Sequence, residues 1–525
     1  MGDGGRQTAC DALAILDVGT TSTRAFVMAL DGTVLGAARE ANRLAAPSPE
    51  RAEQDPVALR GSAERVVAAA IADGRAAGAE IHGLVVSTQM HSLLVVDAGG
   101  TPTGPLITWA DTRSEAAATA LRARSDALAL YARTGCPPHA SYPLAKLIAL
   151  RAAGVGAGAP GPTDRVDDLK SWLLWSWTGR RIVDRSIASG SGLLNVGELR
   201  WDAGALELAG VAEEQLPALV DTTDSAPIAT VALGLSIGVP IVAGAGDGVL
   251  SSLGSGGGGS GTGEDGGGRS NDVDPGRTAV VMIGTSGAVR VASPCPVADR
   301  RARLFSYYLA PGRWIVGGAL SNGGIVLDWL ARTLGIDVAD VLAAAAEAPP
   351  GAGGLVFVPH LAGERAPGYD ALARGTWFGL GLEHDRRHLA RAALEGIAFG
   401  ARAVLAATDE TCGPSAGIRA TGGLARSPLW PRILAGVADR TVAVPADVEG
   451  STVGALVLGG VALGLLPDLD RGADVVRVGE RIRPDPAERA TYEAAAGLYD
   501  RLDREARSHY PALAALRAAS TGTGR

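Results

Sequence analysis

Short apolar runs and polar turns alternate at the start of the chain. Apolar segments at 12–16, 24–30 and 33–36 are separated by glycine-containing turns, which predicts an antiparallel meander. A similar pattern returns much later, with strands predicted at 278–282 and 289–292 around the turn IGTSGA. The stretches LAILDVGTTSTRAFVM and TAVVMIGTSGAVRVAS therefore favour a duplicated domain. The alternative is that two unrelated β-hairpins have similar polar turns.

The rest of the chain alternates helical periodicity with short apolar strands, which is typical of an α/β protein with mixed sheets. Helices are predicted at 58–72, 114–133, 143–153, 167–177, 325–334, 389–407 and 451–463. Strands are predicted at 84–87, 93–96, 239–243, 355–359, 418–421 and 442–444. The helices after residue 480 are expected to pack on the second half of the chain.

Composition and charge narrow the class of protein. The 525 residues allow two large domains or three or four small ones. A net charge of -8 without an arginine-rich run argues against nucleic-acid binding. The longest apolar stretch is too short to span a bilayer, so we expect no membrane insertion. Four widely spaced cysteines, and a start without the pattern of a secretory signal, predict a protein of the reducing cytoplasm. Segment 255–276 is rich in glycine and poor in apolar residues, which predicts a flexible insertion.

Two similar turns have the composition of phosphate-binding loops. In DVGTTST, which begins at Asp17, glycine and hydroxyl residues present N–H and O–H donors to phosphate oxygens. The Asp17 carboxylate can hold Mg²⁺ through water. In IGTSGA, Thr285 and Ser286 repeat the hydroxyl pair, but Met282 takes the place of Asp17. One carboxylate in two turns suits a phosphate clamp with a single metal ion; the alternative for each turn is simple capping.

A further carboxylate, Asp247, lies in GAGDG between a predicted strand and a short helix. The neighbouring glycines allow a substrate to approach the backbone closely. Near a helix N-terminus the carboxylate stays ionised, so it can accept a hydroxyl proton and orient the nucleophile. The alternative is that Asp247 only caps the helix.

The segments STQMHSLLVVD and TWADTR combine hydrogen-bonding groups with a flat apolar ring, a mixture that suits a polyhydroxylated carbon chain. The residues concerned are Gln89, His91, Trp109, Asp111 and Arg113. The alternative is a core histidine with satisfied hydrogen bonds and a packed tryptophan.

Two later loops have open interpretations. In ATGGLARSPLW, paired glycines between a strand and a helix permit a flat adenine or ribose to lie against the backbone, or form a plain turn. The charged residues of GERAPGYDALARG are expected to pair with each other. They are Glu364, Arg365, Asp370 and Arg374.

Ten motifs in order give the chain a specific resemblance: DVGTTSTR, AEQDP, QMHS, TWADTR, GAGDG, IGTSGA, SNGGIVLDW, GERAP, ATGGLARS and EGSTVGA. Over residues 13–464 the chain resembles the FGGY carbohydrate kinase family. The resemblance implies two actin-like (ribonuclease H-like) ATPase lobes, with mixed sheets flanked by helices and a cleft between them. It implies a sugar-binding lobe with the first phosphate turn at 11–250, and an ATP-binding lobe at 277–512.

The resemblance also assigns roles to residues at the matching positions. Asp247 becomes the base that faces the sugar hydroxyl, and Asp17 the carboxylate linked to Mg²⁺. The expected ATP-binding residues are Thr20, Thr21, Ser22, Arg24, Thr285, Gly324, Asp328, Gly423 and Ser427. The expected sugar-binding residues are Gln89, Met90, His91, Trp109, Asp111 and Arg113. ATP and Mg²⁺ are therefore the implied cofactors, a sugar or sugar acid the implied partner, and a homodimer an expectation by analogy alone.

Among the branches of the family, the motifs look most like those of the gluconate kinases, whose product is 6-phosphogluconate. Gln89 instead resembles the xylulose kinases, although these usually have Asn where Ala110 stands, and gluconate kinases often have two Asn at Ser321 and Asn322. A gluconate carboxylate requires a cationic partner, which Arg113 or a protonated histidine can supply. Four alternatives stay open: xylulokinase, another sugar or polyol kinase, a non-catalytic actin-like nucleotide switch, and a sugar-binding protein without catalysis. Deletion of 257–272 is expected to change turnover by only a few fold.

Overall fold

The computed structural model describes residues 10–154, 158–257, 277–445, 450–470, 475 and 478–522. The predicted insertion at 255–276 lies outside the described residues except at 255–257. The described chain forms two compact units, each built from three segments. The first unit draws on Met1–Ser260, Ser293–Ile315 and Glu449–Val476, and the second on Gly261–Ala292, Val316–Val448 and Arg477–Arg525.

The elements are numbered in chain order. The strands are β1 (Cys10–Val18), β2 (Ser22–Ala29), β3 (Val34–Ala41), β4 (Glu53–Gln54), β5 (Ala79–Thr88), β6 (Leu94–Val96), β7 (Leu106–Ile107), β8 (Arg165–Asp167), β9 (Ile182–Asp184), β10 (Leu194–Asn195), β11 (Arg200–Trp201), β12 (Ala218–Val220), β13 (Ser225–Pro227), β14 (Pro240–Val242), β15 (Thr278–Ile283), β16 (Gly287–Ser293), β17 (Phe305–Ala310), β18 (Arg313–Leu320), β19 (Val356–Val358), β20 (Thr376–Phe378), β21 (Gly417–Thr421), β22 (Val442–Pro445) and β23 (Val478–Ile482). The helices are α1 (Pro56–Ala76), α2 (Glu115–Arg122), α3 (Ala127–Thr134), α4 (Pro143–Ala153), α5 (Leu169–Thr178), α6 (Arg185–Ser189), α7 (Ala203–Ala209), α8 (Asp247–Ser252), α9 (Ile325–Leu334), α10 (Val338–Glu347), α11 (Arg386–Cys412), α12 (Trp430–Ala438), α13 (Gly450–Ala462), α14 (Arg489–Ala506) and α15 (Tyr510–Gly522).

The main sheet of the first unit has the strand order β13-β14-β5-β1-β2-β3 among the described residues. β1, β2 and β3 pair antiparallel, as the predicted meander requires. β5 pairs parallel with both β1 and β14. Helix α1 provides the crossover from the meander to β5. Asp55 caps α1 by accepting from the N–H groups of Val57 and Ala58, and Leu59, Ala63 and Val66 lie on its buried face.

A seven-stranded sheet repeats this arrangement. Its order in the described chain is β17-β18-β16-β15-β21-β22-β23, so the run from β18 to β23 matches the run from β3 to β13. β15 pairs antiparallel with β16 and parallel with β21, as β1 does with β2 and β5. Met282 pairs with Ala288 and Thr421 at the position that Asp17 has in the first sheet. The duplicated fold with mixed sheets is therefore confirmed.

Most predicted helices agree with the structure, and α4 and α9 have the predicted bounds. The single helix predicted at 114–133 is wrong, because the chain divides there into α2 and α3. Arg124 folds back and pairs with the Asp126 carboxylate at 2.7 Å between α2 and α3. Asp126, the residue before α3, has a φ of -102° and a ψ of 12°, which departs from helical geometry. A packed C-terminal helix is confirmed, since α14 contacts α11, α12 and β19 of the second unit.

The core of the first unit contains the apolar face of α1, the strands β1 and β5, and helix α5. Trp172 and Trp177 of α5 are both almost fully buried there. Within the residues that the structure describes, no helix combines the length and apolar character that crossing a membrane requires.

Candidate active site

The carboxyl ends of three parallel strands meet at one edge of the first sheet. Asp17 of β1 pairs with Ser87 of β5, and Thr88 forms a bridge with Gly246, the residue before Asp247. Ligand sites of open α/β sheets lie at such an edge, because the loops that leave the strands converge there. The structure thus brings the predicted phosphate turn, the start of the predicted sugar loop and the predicted base together.

Asp17 is almost completely buried and fully hydrogen-bonded. One carboxylate oxygen accepts from Ser87 Oγ at 2.9 Å, and the other from Arg24 Nη2 at 2.7 Å and from Ser451 Oγ at 3.1 Å. Mg²⁺ often keeps several waters and uses few carboxylates. Because both oxygens of Asp17 already accept hydrogen bonds, this donor set suits a Mg²⁺ ion reached through water.

The first phosphate turn is tied to the predicted sugar loops through Thr20. The Thr20 hydroxyl donates to Gln89 Oε1 at 3.1 Å and accepts from Trp109 Nε1 at 2.8 Å. Gln54 donates to Thr20 O at 2.9 Å and accepts from Gln89 Nε2 at 2.7 Å. Thr21 is exposed at the tip of this turn, whereas Ser22 is buried. The phosphate turn and the sugar loops therefore form one hydrogen-bonded network.

His91 has a positive φ of 64°, which turns the chain sharply after β5. Its Nδ1 lies 2.7 Å from Gly190 O, so this nitrogen carries a proton that it donates to the carbonyl. Its Nε2 lies 3.4 Å from Tyr307 Oη, which in turn lies 2.9 Å from Tyr142 Oη. The ring is held by these groups and by an edge contact with Tyr142 at 5.0 Å between centroids.

Met90 fills the space between two glycines beside the predicted base. A Cβ atom at Gly246 would lie 2.5 Å from Met90 Cγ, and one at Gly190 would lie 2.7 Å from Met90 Cε. Both positions therefore require glycine for Met90 to pack there. The packing fixes the backbone that leads into Asp247.

Asp111 and Arg113 form an internal ion-pair cluster with Glu53. Asp111 is fully buried, and its Oδ2 accepts from the Ala52 N–H at 2.9 Å and from Arg113 Nη2 at 2.7 Å. Arg113 also contacts the Glu53 carboxylate. Burial opposes the charge of Arg113, but hydrogen bonds to Asp111 and Glu53 outweigh it and raise the pKa of the guanidinium. The cluster holds the Trp109 loop against β4.

Asp247 is the first residue of α8, and Gly246 occupies the cap position. The Asp247 carboxylate accepts from the Gly248 N–H at 2.7 Å. Helix α8 packs tightly on α13, because a Cβ atom at Gly454 would overlap the main chain of Leu250 and Gly254. The close glycine contact fixes the position of the helix that carries Asp247.

In the second unit, the turn after β15 packs against the start of α9. The Gly324 N–H donates to Gly284 O at 2.7 Å, and the Ile325 N–H donates to Thr285 O at 3.1 Å. Asp328 is exposed in the first turn of α9. The structure therefore places the start of α9 at Gly324 against the turn that contains Thr285, with Asp328 in the first turn of the same helix.

The turn after β21 lies beside the same strand end. Gly422 has a φ of 86°, and a Cβ atom there would lie 2.5 Å from Ile283 O at the end of β15. The space around Gly423 is open, since a Cβ atom there would meet no heavy atom within 4 Å. Ser427 accepts from the N–H groups of Leu429 and Trp430 before α12. The backbone at Gly423 is therefore open to the close approach of another group.

The ion-pair partner of Glu364 lies outside its own loop, whereas the sequence led us to expect that the charged residues of this loop pair with each other. It pairs with Arg507 of the C-terminal region at 2.7 Å, and Arg507 also pairs with Asp503 of α14 at 2.7 Å. Arg365 donates to Leu320 O at 2.8 Å. The C-terminal region, rather than this loop alone, therefore neutralises Glu364.

Several residues of these networks were not identified from the sequence. Gln54 and Ser451 lie within the motifs AEQDP and EGSTVGA, which contribute to the family resemblance but assign no role to either residue. Glu53 also lies within AEQDP. Tyr307 lies in β17 outside the ten motifs, and no local spacing connects it to His91.

Two family models match the chain. The N-terminal domain of the FGGY family of carbohydrate kinases matches residues 12–254, and the C-terminal domain of that family matches residues 279–463. The gluconokinase of Bacillus subtilis (strain 168) is 33% identical over 516 residues, which cover 95% of this chain and 97% of that protein.

Solved structures agree with these matches. The crystal structure of gluconate kinase from Lactobacillus acidophilus has a TM-score of 0.87 at 28% identity and covers 96% of this chain and 99% of its own. The ligand-bound xylulose kinase from Lactobacillus acidophilus has a TM-score of 0.88 at 28% identity, with coverages of 96% and 100%. The structural likeness is thus equally strong for two kinds of sugar kinase.

Proposed function

The chain belongs to the FGGY family of carbohydrate kinases, and we propose that within this family it transfers the γ-phosphoryl group of ATP to D-gluconate, forming 6-phospho-D-gluconate. The observation that carries the choice of gluconate is the similarity to a gluconokinase over nearly the whole of both chains. The site is consistent with a polyhydroxylated substrate, because it combines the flat ring of Trp109 with the hydrogen-bonding side chains of Gln89 and Thr20 in one network.

In the proposed reaction, Asp247 accepts the proton of the sugar hydroxyl while the hydroxyl oxygen bonds to the γ-phosphorus and ADP leaves. It lies in the first turn of α8, where a negative charge is favoured by the free N–H groups of the helix start. In phosphoryl transfer such a group acts mainly by orienting the nucleophile. Gly246 and Met90 hold the backbone that positions Asp247.

We assign sugar binding to Gln89, Met90, His91 and Trp109. The hydrogen bonds of Gln89 and Trp109 to Thr20 hold these side chains beside the first phosphate turn. Asp111 and Arg113 hold the Trp109 loop, because Arg113 is already paired with two carboxylates.

We assign phosphate and nucleotide binding to the turns of both units. In the first unit the residues are Thr20, Thr21, Ser22 and Arg24, and in the second they are Thr285, Gly324, Asp328, Gly423 and Ser427. Mg²⁺, when bound, neutralises charge on the phosphate oxygens, and Asp17 would hold its water ligands. Arg24 and Ser451 keep the Asp17 carboxylate oriented for that purpose.

A substrate panel tests the proposal. ADP release is measured with ATP and Mg²⁺ against D-gluconate, D-xylulose, glycerol, L-ribulose and no sugar. We expect turnover that depends on D-gluconate and exceeds that with each other sugar at least tenfold in kcat/KM. Preference for D-xylulose would support the second candidate, xylulokinase, which Gln89 and the equally similar xylulose kinase structure favour. ATP hydrolysis without sugar dependence would instead support the nucleotide switch.

A further inference from the structure

The chain contains only two lysines, Lys146 and Lys170, and both are fully buried in the first unit. Lysine is almost never fully buried unless its ammonium group has partners. Lys170 has an obvious one, since its Nζ lies 2.8 Å from the Asp184 carboxylate. Lys146 has no carboxylate at hydrogen-bond distance among the hydrogen bonds and ion pairs described, so its burial requires a different explanation.

The partners of Lys146 are two main-chain carbonyls of the proposed sugar site. Its Nζ donates to His91 O at 2.5 Å and to Thr108 O at 2.8 Å. His91 O belongs to the loop after β5, and Thr108 O immediately precedes Trp109 in the loop after β7. One side chain from α4 therefore joins both loops next to the residues assigned to the sugar.

The backbone shows where the two loops stop pairing with each other. The two loops pair through Leu93 and Ile107, whose N–H and C=O groups exchange two hydrogen bonds of 2.9 Å. The positive φ of His91 ends this pairing. Beyond this pair, Lys146 Nζ supplies a short hydrogen bond to each of the carbonyls of His91 and Thr108, and Thr108 O also accepts a longer one of 3.3 Å from the Asp111 N–H. A buried carbonyl that loses such a donor is destabilising.

We propose that Lys146 is a positioning residue for the sugar, which sets the separation of the His91 and Trp109 loops by donating to His91 O and Thr108 O. The inference rests on the proposed function in one respect, namely that these two loops hold the sugar. It predicts that loss of Lys146 weakens sugar binding specifically, because nucleotide binding is assigned to other turns.

The charges around Lys146 are compatible with its role as a hydrogen-bond donor in a buried site. Burial lowers the pKa of Lys146 to about 7, the Asp111 carboxylate opposes this shift, and Arg113 adds to it. Lys146 keeps at least two N–H donors in either protonation state, so both carbonyls retain a donor.

The test compares Lys146→Met with Lys170→Met, a matched control that removes the other buried ammonium group of the same unit. For Lys146→Met we expect the KM for the sugar to rise about 10- to 100-fold, because displacement of positioning groups by about 1 Å has effects of that size. The kcat should change less than threefold and the KM for ATP less than twofold. Lys170→Met should lower Tm without this change in KM.

Two results would overturn the proposal: a folded Lys146→Met protein with a sugar KM within twofold of the wild type, or the same rise in KM for Lys170→Met. If Lys146→Met does not fold, Lys146→Arg decides, because it keeps a cation but moves the donors. A sugar KM raised at least threefold with an unchanged KM for ATP is then expected, and an unchanged sugar KM refutes the role.

A measurement without turnover separates this inference from the proposed substrate. The wild type is first tested with D-gluconate and D-xylulose, and the variants are then compared with whichever sugar is phosphorylated. Hydrogen exchange of residues 89–93 and 107–111 is followed in parallel without sugar. We expect exchange at least tenfold faster in the Lys146 variant that folds than in the wild type, and equal rates contradict the proposal whatever the substrate is.

Discussion

The contact between Gly323 and the turn at Thr285 allows a quantitative prediction. A Cβ atom at Gly323 would lie 2.7 Å from Ser286 O and 2.8 Å from Gly284 O. Ordinary contact between carbon and oxygen begins near 3.4 Å, so Gly323→Ala must move the turn by about 0.7 Å. The same movement would stretch the bond from the Ile325 N–H to Thr285 O, now 3.1 Å, to about 3.8 Å, beyond hydrogen-bond distance.

The loss of one or two buried backbone hydrogen bonds is expected to reduce the free energy of unfolding by about 2 kcal/mol. For a unit of this size, Tm should then fall by about 4–8 °C. Because the moved turn is assigned to phosphate, the kcat/KM for ATP should fall about 10- to 100-fold. The KM for the sugar should stay within twofold of the wild-type value.

Two assays check this prediction: thermal denaturation, and ADP release with ATP varied at saturating sugar. Gly497→Ala is the control, because it makes the same substitution in α14 of the same unit, where the nearest atom would lie 3.9 Å away. It should keep wild-type kinetics and not lower Tm. A Gly323→Ala protein with wild-type Tm, and a kcat/KM for ATP within twofold, would refute the reasoning.

Three further predictions concern the first unit. Asp247→Asn should lower kcat at least 100-fold while the sugar still binds with a Kd within threefold, measured by titration; retained turnover would exclude Asp247 as the base. Trp109→Phe removes the donor to Thr20 Oγ1, so the KM for the sugar should rise about 3- to 10-fold in steady-state assays; an unchanged KM would show that this bond does not position the ring. Burial, and then the charge of Asp184, raise the pKa of Asp168 to about 6, so the native state holds a proton that the unfolded chain releases near the ordinary pKa of 3.8. The stability that this group contributes is present at low pH and is lost as pH rises from about 4 to 6. Asp168→Asn keeps a capping acceptor but does not titrate, so its Tm relative to the wild type should increase across that pH range. Parallel curves of Tm against pH would contradict this.

The residues that could be predicted from the sequence share one property, which is that local pattern determines their position. Asp17 lies near the carboxyl end of a strand, Gln89 and Asp247 follow the ends of two others, and parallel pairing brings such ends together. The duplication was visible for the same reason, since both meanders have the same succession of strands and turns.

The residues that could not be predicted depend on distant partners. Lys146 is 55 residues from His91, Tyr307 is 216 residues from His91, and Ser451 is 434 residues from Asp17. Their roles are set by where tertiary packing places a carbonyl, a ring nitrogen or a carboxylate, and no local periodicity records that. The break between α2 and α3 was missed because the propensity of the flanking residues continues across it.

Helix α13 belongs to the first unit although it follows most of the second in the chain. Its Ser451 completes the hydrogen bonding of Asp17, and its Gly454 provides the surface on which α8 packs. During synthesis, domains usually fold as units from the N-terminus. Helix α8 therefore lacks its α13 contact until the ribosome has made α13. We expect a nascent chain that stops before α13 to lack the packing that positions Asp247 and the Ser451 hydrogen bond to Asp17, and so not to turn over ATP.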